Sequence, residues 1–309
     1  MATKRIHPTT TRRDFLKTSA GSAGLLAAAP TLLEALDASG TTSFAGSDVV
    51  PLGKTGIKVS RLAQGTGFSG GRQSSAHTRL GQKAFSNLLH RSLDEGVTFM
   101  DMADLYGSHP YVLKTVKDVP RDDLVYLTKL WPQKEDWITP SGGAKREVAR
   151  FLKELGTDHI DVCLIHCMLN DQWPTEYERI RDELSALKES GEVGAVGVSC
   201  HDFGALRVAA EHPWVDVIFA RINHKGGREY MCDASAPEVA KVLKAARANG
   251  KAVVGMKIFG AGKLVKPEEK DASLSYVFGN DLVDAVTIGM LKQSEIDDTL
   301  QRMARIRVS

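Results

Sequence analysis

The sequence predicts an α/β protein that folds as a (β/α)₈ barrel, a TIM barrel with an amino-terminal β-hairpin closing its floor. Eight short runs rich in β-branched residues alternate with helical patterns through most of the chain. Most of these runs lack the polar alternation of a half-exposed strand, which indicates strands buried on both faces, as in a parallel sheet. Eight strand–helix repeats within roughly 250 residues have the size and order of a closed barrel.

The predicted strands follow one another at the spacing that such a barrel requires. They cover residues 62–67, 98–103, 124–130, 160–167, 195–200, 215–222, 252–258 and 285–290. An open doubly wound sheet fits the same periodicity. However, the first strand runs into Gly65-Thr66-Gly67-Phe68, and no Gly-x-Gly-x-x-Gly opens the first helix. The usual dinucleotide fingerprint of the open sheet is therefore missing.

The helices and the hairpin show their own signals. Val148, Phe151 and Leu155 recur at helical spacing. Another helix is predicted to open at Thr175, because Glu178 three residues later completes a capping-box pattern. Upstream, residues 50–59 form two short strand patterns around a glycine turn, and we expect this hairpin to plug the barrel floor.

Composition and charge favour a globular protein with a large core. The chain has 309 residues, of which 42% are hydrophobic, and its 40 Lys and Arg residues nearly balance 38 Asp and Glu. No basic stripe with interleaved aromatics is present, so we expect no nucleic-acid partner. The four cysteines are too few for a disulfide scaffold and too scattered for a metal cluster. Cys163 and Cys167, four residues apart in a strand, are expected on one face as small buried hydrophobes.

The first residues carry a targeting pattern. Arg12-Arg13-Asp14-Phe15-Leu16-Lys17 is followed by a mildly apolar run rich in Ala, Gly and Leu. This resembles a bacterial twin-arginine signal, with a disordered basic arm as the alternative. We expect residues 1–46 to be signal peptide and linker, and residues 47–309 to be the barrel domain. The resemblance implies export by the twin-arginine machinery to the periplasm or another extracytoplasmic space, with no stable membrane span unless the signal stays uncleaved.

Four polar residues lie at or just beyond the carboxyl ends of consecutive predicted strands, where the active sites of such barrels are built. They are Asp101, Tyr106, Lys129 and His166. Taken singly, an Asp before a loop is usually a turn former, a Lys after a strand a solvated flank, and a His in an apolar strand a satisfied core residue. Their joint placement predicts one active site.

These side chains suit the addition of hydride to a carbonyl group. The developing alkoxide needs a proton, and a tyrosine of ordinary pKa, about 10, is a weak acid at neutral pH unless a nearby cation favours its ionised form. We expect Lys129 to supply that charge and Asp101 to hold the buried ammonium in place. His166 can donate a hydrogen bond that polarises the carbonyl oxygen.

The residues around Asp101 and Tyr106 resemble a known signature. Residues 99–107 read Phe-Met-Asp-Met-Ala-Asp-Leu-Tyr-Gly, similar to the Asp-x-Ala-x-x-Tyr-Gly of the aldo-keto reductases. Residues 52–62 resemble the family's amino-terminal hairpin, and the likeness runs from about residue 48 to the end. It implies an NAD(P)H-dependent reductase of an aldehyde, ketone or sugar. Tyr106 would be its general acid, Asp101 and Lys129 the partners that tune it, and His166 the residue that orients the substrate.

The resemblance also implies which residues meet the NADP or NAD cofactor. The implied positions are Gly65, Thr66, Asp101, Ser199, Cys200, Phe219, Met256, Lys257, Phe259, Gly260, Lys292, Glu295 and Asp298. Three of them depart from the common pattern, since many members have Asn in place of Cys200, Gln in place of Phe219 and Tyr in place of Met256. The grip on the nicotinamide is therefore expected to be unusual, whereas the tetrad is intact.

The choice between the two nucleotides depends on the segment after the last predicted strand. Members that select NADP usually place Lys or Arg here, because a cation binds the 2′-phosphate. In this chain Lys292 is the only cation of the segment, and Glu295 occupies a place often held by Arg. A carboxylate repels a phosphate but accepts a hydrogen bond from a ribose hydroxyl. The sequence leaves NAD and NADP open.

Phe68, His109 and Trp131 are expected to form the walls of a substrate pocket, although loop packing explains them equally well.

Two functions of other classes are weighed against a reductase. A nucleotide-sensing module with little turnover could use the same barrel, because a fold does not determine function. A metal-dependent hydrolase needs His and carboxylate ligands at several strand ends, and only His166 and Asp101 qualify.

Overall fold

The computed structural model describes residues 42–132 and 143–308. The predicted signal peptide lies outside the described residues. The strands are β1 Thr42–Ser43, β2 Val49–Pro51, β3 Lys58–Ser60, β4 Leu62–Gly65, β5 Phe99–Asp101, β6 Val125–Leu130, β7 Ile160–Met168, β8 Val193–Cys200, β9 Val217–Arg221, β10 Ala252–Met256, β11 Ala285–Ile288 and β12 Arg307–Val308. Strands β4 to β11 are parallel, and β11 pairs with β4 to close a barrel. The predicted fold is confirmed, with strand ends that differ by one or two residues.

Helices cover the outside of the barrel between successive strands. They are α1 Ala76–Arg79, α2 Gln82–Asp94, α3 His109–Val116, α4 Ala144–Leu155, α5 Trp173–Glu176, α6 Glu178–Ser190, α7 Phe203–Glu211, α8 Ala236–Ala248, α9 Pro267–Gly279 and α10 Gln293–Arg305. The predicted helix start at Thr175 is wrong, because Thr175 lies inside α5 and α6 begins without a side-chain cap. Pro174, in the first turn of α5, has a backbone already fixed for a helix, so the chain turns helical before Thr175 can act as a cap.

Strand residues alternate between two apolar layers. Val125 and Leu127 belong to the cluster inside the barrel, whereas Tyr126 and Leu130 belong to the cluster between the barrel and its helices. Because both faces of each strand are buried, the polar alternation of a solvent-facing strand is missing. Lys129 continues the inner row of Val125 and Leu127, so its side chain belongs to the inside of the barrel near the mouth.

The hairpin of β2 and β3 closes the floor, as predicted. Leu52 and Val59 are buried in the cluster inside the barrel. Gly53 has a φ of +52°, and a Cβ there would come within 2.5 Å of the backbone nitrogen of Ala252. Only glycine allows the hairpin to approach the barrel this closely.

Residues 42–46, which the sequence assigned to a linker, belong to the folded body. Strand β1 pairs antiparallel with β12. The ring of Phe44 stacks on Phe278 at a centroid distance of 5.2 Å. Leu62 N donates to Gly46 O at 2.9 Å. A single aromatic residue in a Ser- and Gly-rich stretch therefore anchors the chain, because its burial stabilises the contact.

The expectation that Cys163 and Cys167 share a face is wrong. Cys163 is buried in the layer between barrel and helices. The register of β7 shifts between Ile165 and Met168, and Cys167 has a φ of +61°. This irregularity turns the half-buried Cys167 so that its Sγ lies 3.6 Å from both ring nitrogens of His201.

Two further features concern only the described parts of the chain, residues 42–132 and 143–308. No helix there is both long and apolar enough to cross a membrane. No three His, Cys, Asp or Glu side chains there come together as metal ligands do.

Candidate active site

Four polar side chains meet at the carboxyl ends of neighbouring barrel strands. Asp101 ends β5, Lys129 and His166 lie near the ends of β6 and β7, and Tyr106 ends the 3₁₀ turn Asp104–Tyr106. The Tyr106 hydroxyl lies 3.4 Å from Nε2 of His166. Nζ of Lys129 lies 5.2 Å from the centroid of the Tyr106 ring. The structure therefore brings all four residues of the predicted tetrad together.

Asp101 and Lys129 form a buried ion pair under Tyr106. Their exposed fractions are 6% and 1%. Nζ of Lys129 donates to Oδ1 of Asp101 and, at 2.9 Å, to the backbone oxygen of Met102. Thr287 Oγ1 donates to the other carboxylate oxygen at 2.7 Å. These hydrogen bonds compensate the loss of hydration that burial imposes on both charges.

The states of Tyr106 and His166 follow from their burial. Burial raises the pKa of Tyr106 well above its ordinary value, and the Asp101 carboxylate adds to the rise. Burial also lowers the pKa of His166 well below its ordinary value, and the positive charge of Lys129 adds to the fall. Near neutral pH the pair therefore consists of a protonated phenol and a neutral imidazole.

The expected effect of Lys129 on Tyr106 is corrected by this arrangement. The sequence predicted that the ammonium lowers the pKa of Tyr106, whereas that pKa is raised. Burial is the main cause of the rise and the Asp101 carboxylate adds to it, while Lys129 lies over the ring face and donates a hydrogen bond to Asp101. The cation is beside the tyrosine, but it acts as one half of a nearly neutral pair.

The tyrosine ring is held by glycines on one side. A Cβ at Gly67 would come within 2.2 Å of the Tyr106 ring, and one at Gly70 within 2.6 Å. Gly107, just after the tyrosine, has a φ of +61°, and a Cβ there would meet the backbone oxygen of Gln73 at 2.1 Å. The glycines of the first loop, which form no dinucleotide fingerprint, instead make room for Tyr106.

An ion-pair network fixes the turn that carries Tyr106. Nη2 of Arg150, on α4, donates to Asp104 at 2.7 Å and to Glu147 at 2.6 Å. Nη1 of Arg150 donates to Glu154 at 2.7 Å. Asp104 is the first residue of the turn and is 2% exposed. The position of the tyrosine therefore depends on a helix outside the barrel.

The residues predicted around the nicotinamide divide into two groups. Met256 and Ser199 form the first group. Met256, the last residue of β10, is 9% exposed. Ser199 is buried and accepts a hydrogen bond from Cys167 N at 2.8 Å. Cys200 does not reach the mouth, because its side chain is buried in the outer layer. Phe219 is fully buried with its ring centroid 4.8 Å from Nζ of Lys129, so it supports the lysine from below.

Gly65 and Thr66 adjoin Asp101. Gly65 pairs with Asp101 in the register of β4 and β5. Thr66 donates from both its backbone nitrogen, at 3.0 Å, and its Oγ1, at 2.9 Å, to the backbone oxygen of Asp101. Both residues thus contribute to the position of Asp101, whatever else they contact.

At the end of the site that was predicted to bind the cofactor phosphates, the structure brings together charged side chains that lie far apart in the sequence. Glu295 accepts from Leu291 N at 2.8 Å. Asp298 accepts from Lys270 at 2.9 Å and pairs with Arg302. Nζ of Lys270 also lies 5.5 Å from the ring centroid of Phe259, which precedes Gly260. Lys292 is exposed. Lys270, which comes from the preceding helix α9, was missed because no local pattern links it to this segment.

The prediction that His109 lines the substrate pocket is wrong. Its ring is 1% exposed and lies behind the barrel, where it bonds Glu154 at 2.9 Å and Thr128 at 2.7 Å. Thr128 faces outward, so His109 cannot line the mouth. Trp131 does lie beside the site, with its ring 5.6 Å from that of His166 in an edge contact. Phe68 is 38% exposed on the first loop.

Two side chains at the mouth were missed by the sequence reasoning. Arg221 ends β9, two residues after the inward-facing Phe219 and opposite Met256 in the register with β10. It donates to the backbone oxygen of His201 at 2.6 Å and to Asp233. The ring of His201 lies 6.4 Å from that of His166. The period of two from Phe219 could have indicated Arg221, whereas nothing in the sequence indicates His201.

Known proteins with sequences similar to this chain include reductases. The model of the Aldo/keto reductase family matches residues 61–307. The chain is 27% identical over 193 residues to an NADH-specific methylglyoxal reductase of Escherichia coli, which covers 56% of this chain and 58% of that protein. It is 31% identical over 158 residues to an aldo-keto reductase of Bacillus subtilis, covering 47% and 44%. The chain thus spans about half the length of the curated relatives it matches.

Solved structures share the barrel. A putative aldo-keto reductase from Pseudomonas aeruginosa superposes with a TM-score of 0.69 at 24% identity, over 86% of this chain and 98% of that one. An aldo-keto reductase from Klebsiella pneumoniae in complex with NADPH gives a TM-score of 0.60 at 16% identity, over 82% and 89%. At these identities the likeness shows a common fold.

Proposed function

This chain belongs to the aldo/keto reductase family, and from that premise we propose that it reduces an aldehyde, ketone or sugar carbonyl by hydride transfer from NADH or NADPH, with Tyr106 as general acid. The observation that carries the proposal is the 3.4 Å contact between the Tyr106 hydroxyl and Nε2 of His166, beside the buried Lys129–Asp101 pair. Together these groups can bind a carbonyl oxygen and give it a proton.

The protein side of the reaction follows from the states of these side chains. Because burial keeps Tyr106 protonated, its hydroxyl can donate to the carbonyl oxygen as negative charge develops there. The neutral His166 can give the same oxygen a second hydrogen bond without competing for the proton. After the transfer, the Lys129 ammonium stabilises the phenolate, and Asp101 keeps the ammonium in place.

The residues of the mouth fit a nicotinamide dinucleotide, which supplies the hydride when bound. Met256 offers an apolar surface to the nicotinamide ring, and we expect the Ser199 hydroxyl, which accepts a hydrogen bond from Cys167 N, to donate to the nicotinamide amide. Lys270, over the ring of Phe259, and Lys292 offer cations to the phosphates. One relative is named NADH-specific and one structural neighbour was solved with NADPH, which supports both nucleotides.

The test removes the proton that the proposal needs. We expect Tyr106→Phe to lower kcat/KM in NAD(P)H oxidation by about 10²- to 10⁴-fold, the usual contribution of a positioned general acid. Its Kd for NADPH should stay within a factor of about two, because the phenol hydroxyl is aimed at the substrate. Tyr126→Phe is the matched control, since Tyr126 is a buried tyrosine on the outer face of β6.

One alternative function has an observation in its favour. The side chain of Cys200 faces away from the mouth and Phe219 is sealed beneath Lys129, so neither offers a polar group to a nicotinamide amide. A nucleotide-sensing protein needs only to bind. If NADH and NADPH bind while no member of a broad panel of aldehydes, ketones and sugars is reduced, the reductase proposal fails and the sensing function is favoured.

We also propose that the arginine pair near the amino terminus and the apolar run behind it direct export through the twin-arginine machinery after the barrel has folded. The Arg12-Arg13 pair and the weakly apolar run behind it support this. In fractionated cells, replacing both arginines by lysine should move the protein from the periplasm to the cytoplasm. An unchanged distribution would contradict the proposal.

A further inference from the structure

The loop between β4 and α1, residues 66–75, packs against the turn that carries Tyr106. A Cβ at Gly67 would come within 2.2 Å of the Tyr106 ring. The backbone oxygen of Gln73 lies so close to Gly107, the residue after the tyrosine, that a Cβ there would meet it at 2.1 Å. Because these contacts leave no free space, a shift of the loop also shifts the tyrosine.

The other side of the same loop meets the segment that follows β11. A Cβ at Gly289, the residue after β11, would lie 3.2 Å from Cβ of Phe68 and 3.3 Å from Cε1 of His77, in helix α1. The backbone oxygen of the next residue, Met290, bonds Nε2 of His77 at 3.1 Å. The last residues predicted to bind the nucleotide begin at Lys292. His77 therefore lies where the tyrosine loop and the nucleotide segment touch.

The protonation state of His77 follows from its partner and its burial. A carbonyl oxygen only accepts hydrogen bonds, so Nε2 carries the ring proton and donates to Met290. The residue is 1% exposed, and burial lowers its pKa to about 4, so the ring is neutral near pH 7. Its Nδ1 is then a bare acceptor, buried and without a hydrogen-bond partner among the described residues.

The unpaired Nδ1 isolates what the histidine contributes. A buried acceptor without a partner destabilises a fold, and a leucine in place of His77 would not carry that cost. The contribution that an apolar side chain cannot make is the hydrogen bond to Met290. Among the described residues, the other donor near that oxygen is Nε2 of Gln64, at 3.5 Å, and it bonds Gly65 O at the shorter distance of 2.9 Å.

We propose that His77 is a positioning residue that holds the segment before the nucleotide-binding residues against the loop that packs on Tyr106. The nucleotide and the proposed general acid then share one support, and binding of the nucleotide also orders the loop beside the tyrosine. His77 itself touches neither the carbonyl nor the hydride. This inference rests on the proposed function, in which NADH or NADPH binds near Lys292.

The first test is amide hydrogen exchange of the full-length protein with and without NADPH, and again with NADH. We expect the nucleotide to slow exchange in residues 289–298 and also in residues 66–75, where Gly71 N donates to Ser74 O at 2.8 Å and Ser74 N to Gly71 O at 3.0 Å. In His77→Leu and in His77→Met, the slowing should persist in residues 289–298 and be lost from residues 66–75.

The second test is the Kd for the same nucleotides. His77→Leu and His77→Met should raise it about three- to tenfold, the effect of losing one buried hydrogen bond that pre-organises the site. His77→Gln, which retains an N–H donor, should recover most of the affinity and the slowed exchange of the loop. His90→Leu is the matched control, because His90 Nε2 bonds the backbone oxygen of Thr115 at 3.1 Å, between α2 and α3, and its loss should leave both readouts unchanged.

The results that overturn the proposal differ from those that overturn the reductase function. Slowed exchange of residues 66–75 that survives in the apolar variants shows direct contact with the nucleotide, and a Kd within about twofold of the wild type shows no pre-organisation; either result overturns the role of His77. Faster exchange throughout the barrel without nucleotide, or failure of both apolar variants to fold, shows a general stabilising role and also overturns it.

The readouts do not depend on turnover. If NADH or NADPH binds while no carbonyl compound is reduced, the reductase function fails, and hydrogen exchange and the Kd still decide the role of His77. If neither nucleotide binds the wild type, both the reductase function and the role of His77 are overturned.

Discussion

The buried pair of Asp101 and Lys129 determines how much charge reaches the tyrosine beside it. Lys129 is 1% exposed and makes its hydrogen bonds to Asp101 and to the backbone oxygen of Met102. The ammonium can stabilise a phenolate once one forms, whereas in the resting protein burial, followed by the Asp101 carboxylate, raises the pKa of Tyr106. The pair thus holds a cation beside the phenol of Tyr106 while the phenol stays protonated.

The pair also makes a prediction about stability. We expect Asp101→Asn to lower the free energy of unfolding by about 3–5 kcal/mol, because it leaves the Lys129 ammonium buried without a counter-ion. The double variant Asp101→Asn/Lys129→Met should be more stable than Asp101→Asn, since it removes the uncompensated charge. Urea unfolding of the three proteins at pH 7 measures both differences. A double variant less stable than the single one would contradict this account.

Single residues also show how far the sequence could be followed. Asp101, Tyr106, Lys129 and His166 were predicted to meet, because strand ends of a parallel barrel lie at one edge and inner positions repeat every two residues. The sign of the pKa change at Tyr106 could not be predicted. It depends first on how deeply the phenol is buried and then on the Asp101 carboxylate beside it, neither of which a local sequence pattern contains.

Among the elements, the 3₁₀ turn Asp104–Tyr106 depends on helix α4. Asp104 is buried, and burial raises the pKa of its carboxyl against the opposing effect of Arg150. Arg150 holds Asp104 at 2.7 Å while Glu147 and Glu154 hold the guanidinium. The proposed general acid, Tyr106, is therefore positioned by charges on the outer side of the barrel wall.

Arg150 is accordingly predicted to be a positioning residue. Arg150→Met should lower kcat by up to about a hundredfold, the effect of a displacement of about 1 Å at a reacting group, while the Kd for NADPH stays near the wild-type value. Steady-state kinetics and a nucleotide titration measure the two. Arg150→Lys, which retains one charged donor, should recover part of kcat. If Arg150→Met changes the nucleotide Kd and kcat equally, the arginine stabilises the barrel in general and has no specific effect on the turn.

Elements were predicted well where periodicity alone decides them and poorly where one residue overrides it. The eight barrel strands appear within one or two residues of their predicted ends. In contrast, Pro174 starts a separate turn before α6, and the bulge of β7 moves Cys167 out of the row of Cys163. Lys270 reaches Asp298 from another helix. Such effects depend on contacts between distant segments, which a local pattern does not contain.

At the scale of the whole molecule, buried neutral histidines couple folding to pH. Burial lowers the pKa of His77 to about 4 and of His201 to about 3, and lowers that of His166 well below its ordinary value. In the unfolded chain each titrates near its ordinary value, about 6.5. Below that pH the unfolded state therefore binds more protons than the folded state, so acid favours unfolding.

We expect the stabilising contribution of these neutral histidines to be complete above about pH 7. The free energy of unfolding should fall steeply between pH 6.5 and 5. Three such histidines give a limiting slope of about 4 kcal/mol per pH unit, from 2.303RT for each proton taken up. Asp104 and Asp284, whose pKa values burial raises, act in the opposite direction at lower pH, so the slope is best measured above pH 5.

His77 provides the control for this prediction, because it lies outside the tetrad and bonds the backbone oxygen of Met290 through Nε2 at 3.1 Å. His77→Gln retains an N–H donor for that oxygen but cannot take up a proton. Its slope between pH 6.5 and 5, from urea unfolding at a series of pH values, should be smaller than the wild-type slope by up to about 1.4 kcal/mol per pH unit. An unchanged slope would show that His77 is already protonated in the folded protein and would contradict the prediction, which rests on its exposed fraction of only 1%.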